Sequence, residues 1–257
     1  MAERAVASLL VAVLALTGCA DGGDGTSMPD DPLQVTDKLV AATPARSPAT
    51  TTEPAGTVRP GEPLQQAHRT ARLGEWTLIA RGRDGIEVRR GGKRVKMITD
   101  DLASADQVFV ADGHAAVLDR LRSALFQVDV EAGEVRLGLR AGQGATNGTV
   151  DEFGRVLVVD TRRGALLAFS LEPLLLRQRY PVPGSPYGIA YDARRNVAWV
   201  TVTETNEVVG FDVAGGEPQE RYRFPTVRQP NSVTVDAHTG DVLVASGAGE
   251  GNQVIRP

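Results

Sequence analysis

The stretch "SPYGIAYDARRNVAWVTVTETNEVVGFDV", residues 185–213, decides the fold, because residues 231–246 repeat it in other words as "NSVTVDAHTGDVLVAS". A Pro precedes Tyr187 as another precedes Asn231; a short alternating run then leads to an Asp, the chain turns, and a longer apolar run follows. Side chains along a strand point to alternate faces, so alternating runs bounded by Gly, Asp or Asn read as strands. The landmarks recur outside these two copies. Asp151, Asp192 and Asp236 end the first strand of a unit at spacings of 41 and 44 residues. Phe126, Phe169 and Phe211 mark a third strand at spacings of 43 and 42. From Trp76 onward such runs dominate, among them "WTLIARG", "DQVFVADG", "RVLVVDT", "NVAWVTVT" and "DVLVAS", and polar fourth strands such as "EVRLGL" and "ERYRF" follow the third.

Four short strands per period of about 42 residues are the pattern of propeller blades. A β-sandwich would not repeat its side-chain landmarks three times, and a β-helix repeats much faster. The expected fold is all-β, a β-propeller of about five four-stranded blades. Residues 104–140, 145–183 and 184–227 read as complete blades. Residues 76–103 supply the outer three strands of another, and 228–257 the inner two or three of a fifth, so one blade is expected to be incomplete. Joining the terminal pieces would give a ring of four. Five is preferred because "QVIRP" reads as the start of a third strand, while "WTLIARG" already fills a second-strand slot.

"GTVDEFGRVLVVDTRRGALLAFS", residues 148–170, resembles the NHL and YVTN-type propeller repeat, in which an apolar strand ending in Asp is followed by a short turn. "AGQGATNGTVDEFGRVLVVDTRRGALLAFSLEPLLLRQRYPV" and "RYRFPTVRQPNSVTVD" resemble a group of mycobacterial and related actinobacterial predicted lipoproteins. The similarity covers roughly residues 104–257 together with the N-terminal signal described next.

"AVASLLVAVLALTGC" runs from Ala5 to Cys19, and its apolar part, Ala5–Leu16, is too short for a spanning helix, which needs about 20 residues. It fits the core of a secretory signal, residues 1–18. Leu16-Thr17-Gly18-Cys19 resembles a bacterial lipobox, which implies cleavage before Cys19 and a thioether-linked diacylglycerol on its sulfur. Stable anchoring takes two lipid signals, and a diacylglycerol supplies two chains. The expected location is the outer, extracytoplasmic face of the cell membrane. Residues 19–63 are rich in Gly, Pro, Thr, Ala and Ser and read as a disordered tether, which leaves 64–257 as the propeller domain. Cys19 is the single cysteine, so no intrachain disulfide supports the fold.

Lys and Arg total 28 against 32 Asp and Glu, a net charge of −4. Residues 20–63 hold seven acids and three bases, so the tether carries the whole −4 and the domain is neutral. A neutral domain argues against a nucleic-acid partner. The partners expected are the membrane, through the lipid, and an envelope protein or glycan.

In a propeller, loops from the outer strand to the next inner strand share one face with the loops between second and third strands. Arg83, Arg122, Arg162 and Arg163 fall in the second class, and Asn147, Tyr187 and Asn231 open inner strands. Together they are the candidate ligand site at the channel mouth, where guanidinium groups would hold a carboxylate, phosphate or acidic sugar. The competing reading makes them solvated turn residues, with Asp119 and Asp160 pairing the arginines locally. No nucleophile elbow, zinc-protease helix or phosphate loop occurs, so no catalytic residue or metal ligand is assigned. Asp100, Asp101 and Asp106 form an acidic turn, too few oxygens to support a Ca²⁺ site. No cofactor is expected beyond the diacylglycerol on Cys19. His114 and His238 read as surface turns. The leading expectation is a binding or scaffolding module; the alternative is a metal-assisted enzyme of lactonase or lyase type with its site at the same mouth, an analogy from the fold alone.

Overall fold

The structure, a computed structural model, describes residues 39–50, 52–61, 64 and 67–257, which lie within one compact unit, Pro32–Pro257. The lipobox, Cys19 and the signal segment fall outside the described residues. Among the described residues no helix is long and apolar enough to cross a membrane.

The described chain forms five four-stranded antiparallel sheets, the blades of a β-propeller. Blade 1, from axis to rim, is Thr70–Leu73, Trp76–Ala80, Ile86–Arg90 and Lys93–Ile98. Blade 2 is Gln107–Ala111, His114–Asp119, Ala124–Asp129 and Glu134–Arg140. Blade 3 is Ala145–Val150, Arg155–Asp160, Ala165–Leu171 and Leu174–Pro181, and blade 4 is Pro186–Asp192, Val197–Val202, Glu207–Asp212 and Gln219–Pro225. The number of blades is the five the repeat predicts, and all five are four-stranded, so both the ring of four and the expected incomplete blade are ruled out. Blade 1 has an inner strand of its own in "TARL" (70–73), which sequence periodicity passes over because only four residues alternate.

Burial explains why each run takes its place. "VAWVTV" (197–202) is buried at every position, since a second strand is covered on both faces by neighbouring blades. "QERYRFP" (219–225) is mostly exposed, as a rim strand should be. Between blades the sheets pack face to face through apolar clusters. Phe109, Leu118, Leu167 and Phe169 join blades 2 and 3. Trp199, Val208, Val233 and Val244 join blades 4 and 5. Trp199 is fully buried and stacks on Tyr222, centroids 5.2 Å apart.

The repeated Asp is a turn device. Asp151 accepts hydrogen bonds from the backbone N–H groups of Phe153 (3.0 Å) and Arg155 (2.8 Å), closing the turn between first and second strands. Asp192 does the same for Arg194 (2.9 Å), and Asp236 for His238 and Thr239 (2.8 and 2.9 Å). A long side chain near the turn then reaches across to the next blade. Arg155 Nη2 donates to the Val213 carbonyl at 2.6 Å and Arg195 Nη1 to that of Gly240 at 3.0 Å. On the opposite face, Asp119 and Asp160 are wholly buried. They receive backbone N–H groups, Ala103 N (2.7 Å) and Arg122 N (2.9 Å) to Asp119, and Gly144 N (2.9 Å) and Arg163 N (3.2 Å) to Asp160, and Arg122 Nε stands 4.0 Å from Asp119 Oδ2, the local pairing expected there. One carboxylate thereby fixes both loop classes of that face.

Blade 5 departs from the expected boundary at residue 63. Pro230–Val235, Val242–Ser246 and Asn252–Ile255 form its inner three strands, and its rim strand is Thr57–Arg59. Thr57 pairs with Val254 and Arg59 with Asn252. Composition placed this segment in the tether because a rim strand needs no apolar face, so "TVR" carries no hydrophobic signal. Gln253, wholly buried, secures it. Its Nε2 donates to the carbonyls of Ala55 (2.7 Å) and Pro225 (2.9 Å), and its Oε1 accepts from Val227 N (3.0 Å).

Candidate functional site

The axis of the ring opens into a cavity of about 450 Å³. Its wall includes Arg120, Asn147, Tyr187 and Asn231, with Gln107 and Ser246 beside them, and no carboxylate among the described residues lines it. Three of the residues singled out from sequence, Asn147, Tyr187 and Asn231, therefore meet here. They meet because each opens an inner strand, and inner strands crowd the axis. Gly188 marks how close that crowding is: a Cβ there would lie 3.1 Å from Ser232 Cα and 3.2 Å from the Asn231 carbonyl oxygen. Asn147 Nδ2 donates to the Tyr187 carbonyl at 2.9 Å, and Gly148 N donates to Gln107 Oε1 at 2.8 Å, so successive inner strands are stitched by side-chain amides.

The four arginines singled out from sequence do not line the cavity. Arg83 is exposed on a blade 1 turn. Arg122 folds back, donating to the Asp101 carbonyl and packing over the Phe126 ring at 5.8 Å. Arg163 is exposed and donates to Gln143 Oε1 at 2.8 Å. Arg162 donates to the carbonyls of Gln143 (3.2 Å) and Val40 (3.0 Å), so it stands on the rim of the mouth.

The arginine in the cavity wall is Arg120. Its Nη2 lies 3.4 Å from the Tyr187 hydroxyl and 3.0 Å from the Ala42 carbonyl, its guanidinium sits 6.0 Å over the Tyr187 ring, and its Nε is buried without a partner. A signal for it exists in the sequence. Arg120 directly follows the buried Asp119, and the matching position of blade 3 is Thr161, whose hydroxyl donates inward to the Pro186 carbonyl at 2.6 Å. The turn wraps around the carboxylate, sending its first residue to the axis and its third outward. Periodicity alone does not separate the two.

Chemically, the wall offers one guanidinium, amides, a phenol and hydroxyls: an anion site with hydrogen-bonding specificity. Among the described residues no three His, Cys, Asp or Glu side chains gather as metal ligands would. In the acidic turn, Asp106 Oδ2 is committed to Ser104 Oγ (2.6 Å) and Arg120 N (2.9 Å), not turned toward a shared ion. His68 lies between the rim strand of blade 5 and the inner strand of blade 1. Its Nε2 is 3.2 Å from Thr149 Oγ1, its ring is 5.2 Å from that of Phe109, and burial lowers its pKa. His114 is half-buried at the start of a blade 2 strand rather than in a turn, with Nδ1 4.0 Å from Glu172 Oε2, and His238 is an exposed turn residue.

A further feature of the mouth has no counterpart in the sequence reading. Residues 39–50, also placed in the tether by composition, run across the loop face. Ala42 and Ser47 are buried there, at 2% and 9% exposure.

No protein-family model and no curated protein matches the chain. Solved structures do match in fold. A catalytically inactive virginiamycin B lyase from Staphylococcus aureus, with quinupristin, is 13% identical over 68% of this chain and 61% of that one, at a TM-score of 0.55. The β-propeller domain of Myceliophteria thermophila Cps50 (Swd1) is 12% identical over 71% and 66%, at 0.59. A lactonase-like chain of Bacteroides fragilis is 14% identical over 72% and 64%, at 0.56. The chain thus spans somewhat under two thirds of each of these three. At such identities the likeness is one of fold, and it agrees with the propeller.

Proposed function

We propose that this chain is a lipid-anchored, extracytoplasmic binding propeller that holds a small anionic, hydroxyl-bearing ligand at its channel mouth. The class of ligand is a carboxylate, phosphate or acidic sugar, free or on an envelope protein or glycan. The observation that carries the reading is Arg120, a cation in a cavity wall without carboxylates, flanked by Tyr187, Asn147 and Asn231. A charge-assisted hydrogen bond contributes about 1.5–3 kcal/mol, roughly ten- to a hundredfold in affinity. Titration calorimetry with galacturonate, citrate and inorganic phosphate is expected to show binding that Arg120→Gln weakens by about that factor. Absence of binding by all three, or unchanged binding by R120Q, overturns it.

The anchor rests on the resemblance of Leu16–Cys19 to a lipobox. Cys19→Ala is expected to move the protein from the membrane fraction to the soluble one and to abolish labelling by a radioactive fatty acid; a membrane-bound, unlabelled wild type overturns the assignment. A second reading, an enzyme, is favoured by the fold likeness to a lyase and a lactonase-like chain. The residues described at the mouth do not supply the donor set of a metal-assisted version. Turnover of a lactone and ester panel by the purified full chain, lost in Tyr187→Phe, would establish that reading.

A further inference from the structure

Residues 39–50 lie across the loop face as an extended strap, held by loops of four blades. Arg162 of blade 3 and Arg120 of blade 2 donate to the carbonyls of Val40 and Ala42, each at 3.0 Å. Gln229, entering blade 5, clamps the middle with both ends of its amide. Its Nε2 donates to the Ala45 carbonyl at 2.7 Å and its Oε1 accepts from Ser47 N at 3.0 Å, while its own backbone N donates to Ser47 Oγ at 3.1 Å. Ser185 Oγ accepts from Ala45 N at 3.3 Å, Asn206 Nδ2 donates to the Pro48 carbonyl at 3.2 Å, and Ser47 Oγ donates to the Thr203 carbonyl.

Three of these holders, Ser185, Asn206 and Gln229, have φ of 63°, 54° and 56°, a left-handed backbone that non-glycine residues adopt uncommonly. Gly144 makes room as well, for a Cβ there would lie 2.9 Å from the Ala42 Cβ. The groove is therefore shaped for a peptide, and it reads backbone groups plus two small side chains. The strap itself brings no large apolar anchor: Val40 is 65% exposed, and its buried side chains are an alanine and a serine. Hydrogen bonds to main chain are available from any extended peptide, so nothing in the contacts restricts the groove to this segment.

We infer that the loop face is an exchangeable peptide site for an extended Ala/Ser/Pro-rich segment with the spacing Ala-x-x-Ala-x-Ser-Pro, occupied in cis by the chain's own residues 42–48. The site deepens the binding reading above and rests on it; Arg120 touches both, while Gln229, Ser185 and Asn206 hold the strap and do not line the cavity. Cis occupancy sets a threshold that a trans peptide must exceed.

The test keeps the full chain and releases the strap by changes confined to it, Ala45→Pro with Ser47→Pro, which remove the N–H groups donated to Ser185 and Gln229, outside every blade. A fluorescent synthetic peptide of residues 39–50 is the probe. It is expected to bind the released protein at least tenfold more tightly than the wild type, by anisotropy, and adding Gln229→Ala to the released protein is expected to remove that binding. A peptide with alanine in place of the Ser47 equivalent should bind more weakly, which a non-specific surface would not show. No binding to the released protein, whose far-ultraviolet spectrum and thermal transition match the wild type, overturns the inference, as does binding indifferent to Gln229→Ala. Anion binding through Arg120 is measured on the same proteins: its persistence with no peptide exchange sinks this inference alone, and its loss with peptide exchange intact sinks the anion reading alone.

Discussion

The seam between blades 4 and 5 and the seam between blades 5 and 1 are built differently. The first buries Trp199, Val208, Val233 and Val244 in one cluster and is tied across by Arg195. Each of the other three seams between consecutive blades likewise has its own apolar cluster. Among the described residues no such cluster joins blade 5 to blade 1. The face of blade 1 turned away from blade 2 carries instead Glu87, bonded by Arg89 and by Arg81 at 2.8 Å. Those bonds, Arg89's first, hold the Glu87 carboxyl below the usual carboxylate range. Closure is a matter of chain connectivity: Thr57–Arg59 completes blade 5 and residues 60–69 then lead into blade 1. Four seams are held by burial, which scales with apolar area, and the fifth by a strand and a loop whose closing entropy grows only slowly with length. Such a ring behaves as a linear array of neighbour interactions with its two ends clipped together.

The largest expected effect breaks a packed seam. Trp199→Ala removes the largest fully buried side chain and should cost about 3–5 kcal/mol in urea unfolding. Leu243 alternates with Val242 and Val244 and faces away from the blade 4 cluster, half-buried. Leu243→Ala should cost less than about 1.5 kcal/mol, since little apolar burial is lost. Equal costs for the two would remove the distinction between seams.

Next in size is the clip. Gln253→Leu leaves Val227 N–H and the Ala55 carbonyl without their buried partner, a loss of about 1–3 kcal/mol. Its signature is local: the amides of the rim strand Thr57–Arg59 should exchange many times faster than in the wild type. Amide exchange in blades 2 and 3 should hardly change. Uniform acceleration through all five blades would mean that closure is felt everywhere, against the linear picture.

What could be read in the sequence divides along the same line. Blades 2, 3 and 4 announce themselves, because Phe126, Phe169 and Phe211 recur in their third strands at spacings of 43 and 42 residues. The clip and the strap do not. Thr57–Arg59 pairs along an exposed rim, and residues 39–50 are held mainly by backbone hydrogen bonds, neither of which requires an apolar pattern. Composition therefore assigns both to the tether. The site was legible where position decides it: Asn147, Tyr187 and Asn231 reach the cavity because they open inner strands. Arg120 was hidden because the turn around Asp119 decides between residues only two positions apart.

The smallest effect concerns His68, in the connector that crosses the closing seam. Its ring packs on Phe109 and its carbonyl accepts from Val108 N at 2.7 Å, so it fastens the entry of blade 1 to blade 2. Burial disfavours the charged imidazolium and lowers its pKa in the folded chain, while the unfolded chain keeps a value near about 6.5. The unfolded state then binds more protons between the two values, and stability rises with pH across that window. The contribution of the neutral ring is complete above about pH 6.5 and is lost as pH falls toward the folded pKa, with a slope no steeper than about 1.4 kcal/mol per pH unit for a single group. His68→Gln should flatten this part of the difference in urea midpoint between pH 7.5 and pH 5, and the opening it suppresses should appear first as exchange in Thr70–Leu73. A pH dependence unchanged by H68Q would assign it to the carboxylates instead and leave the connector's hold on blade 1 independent of the imidazole.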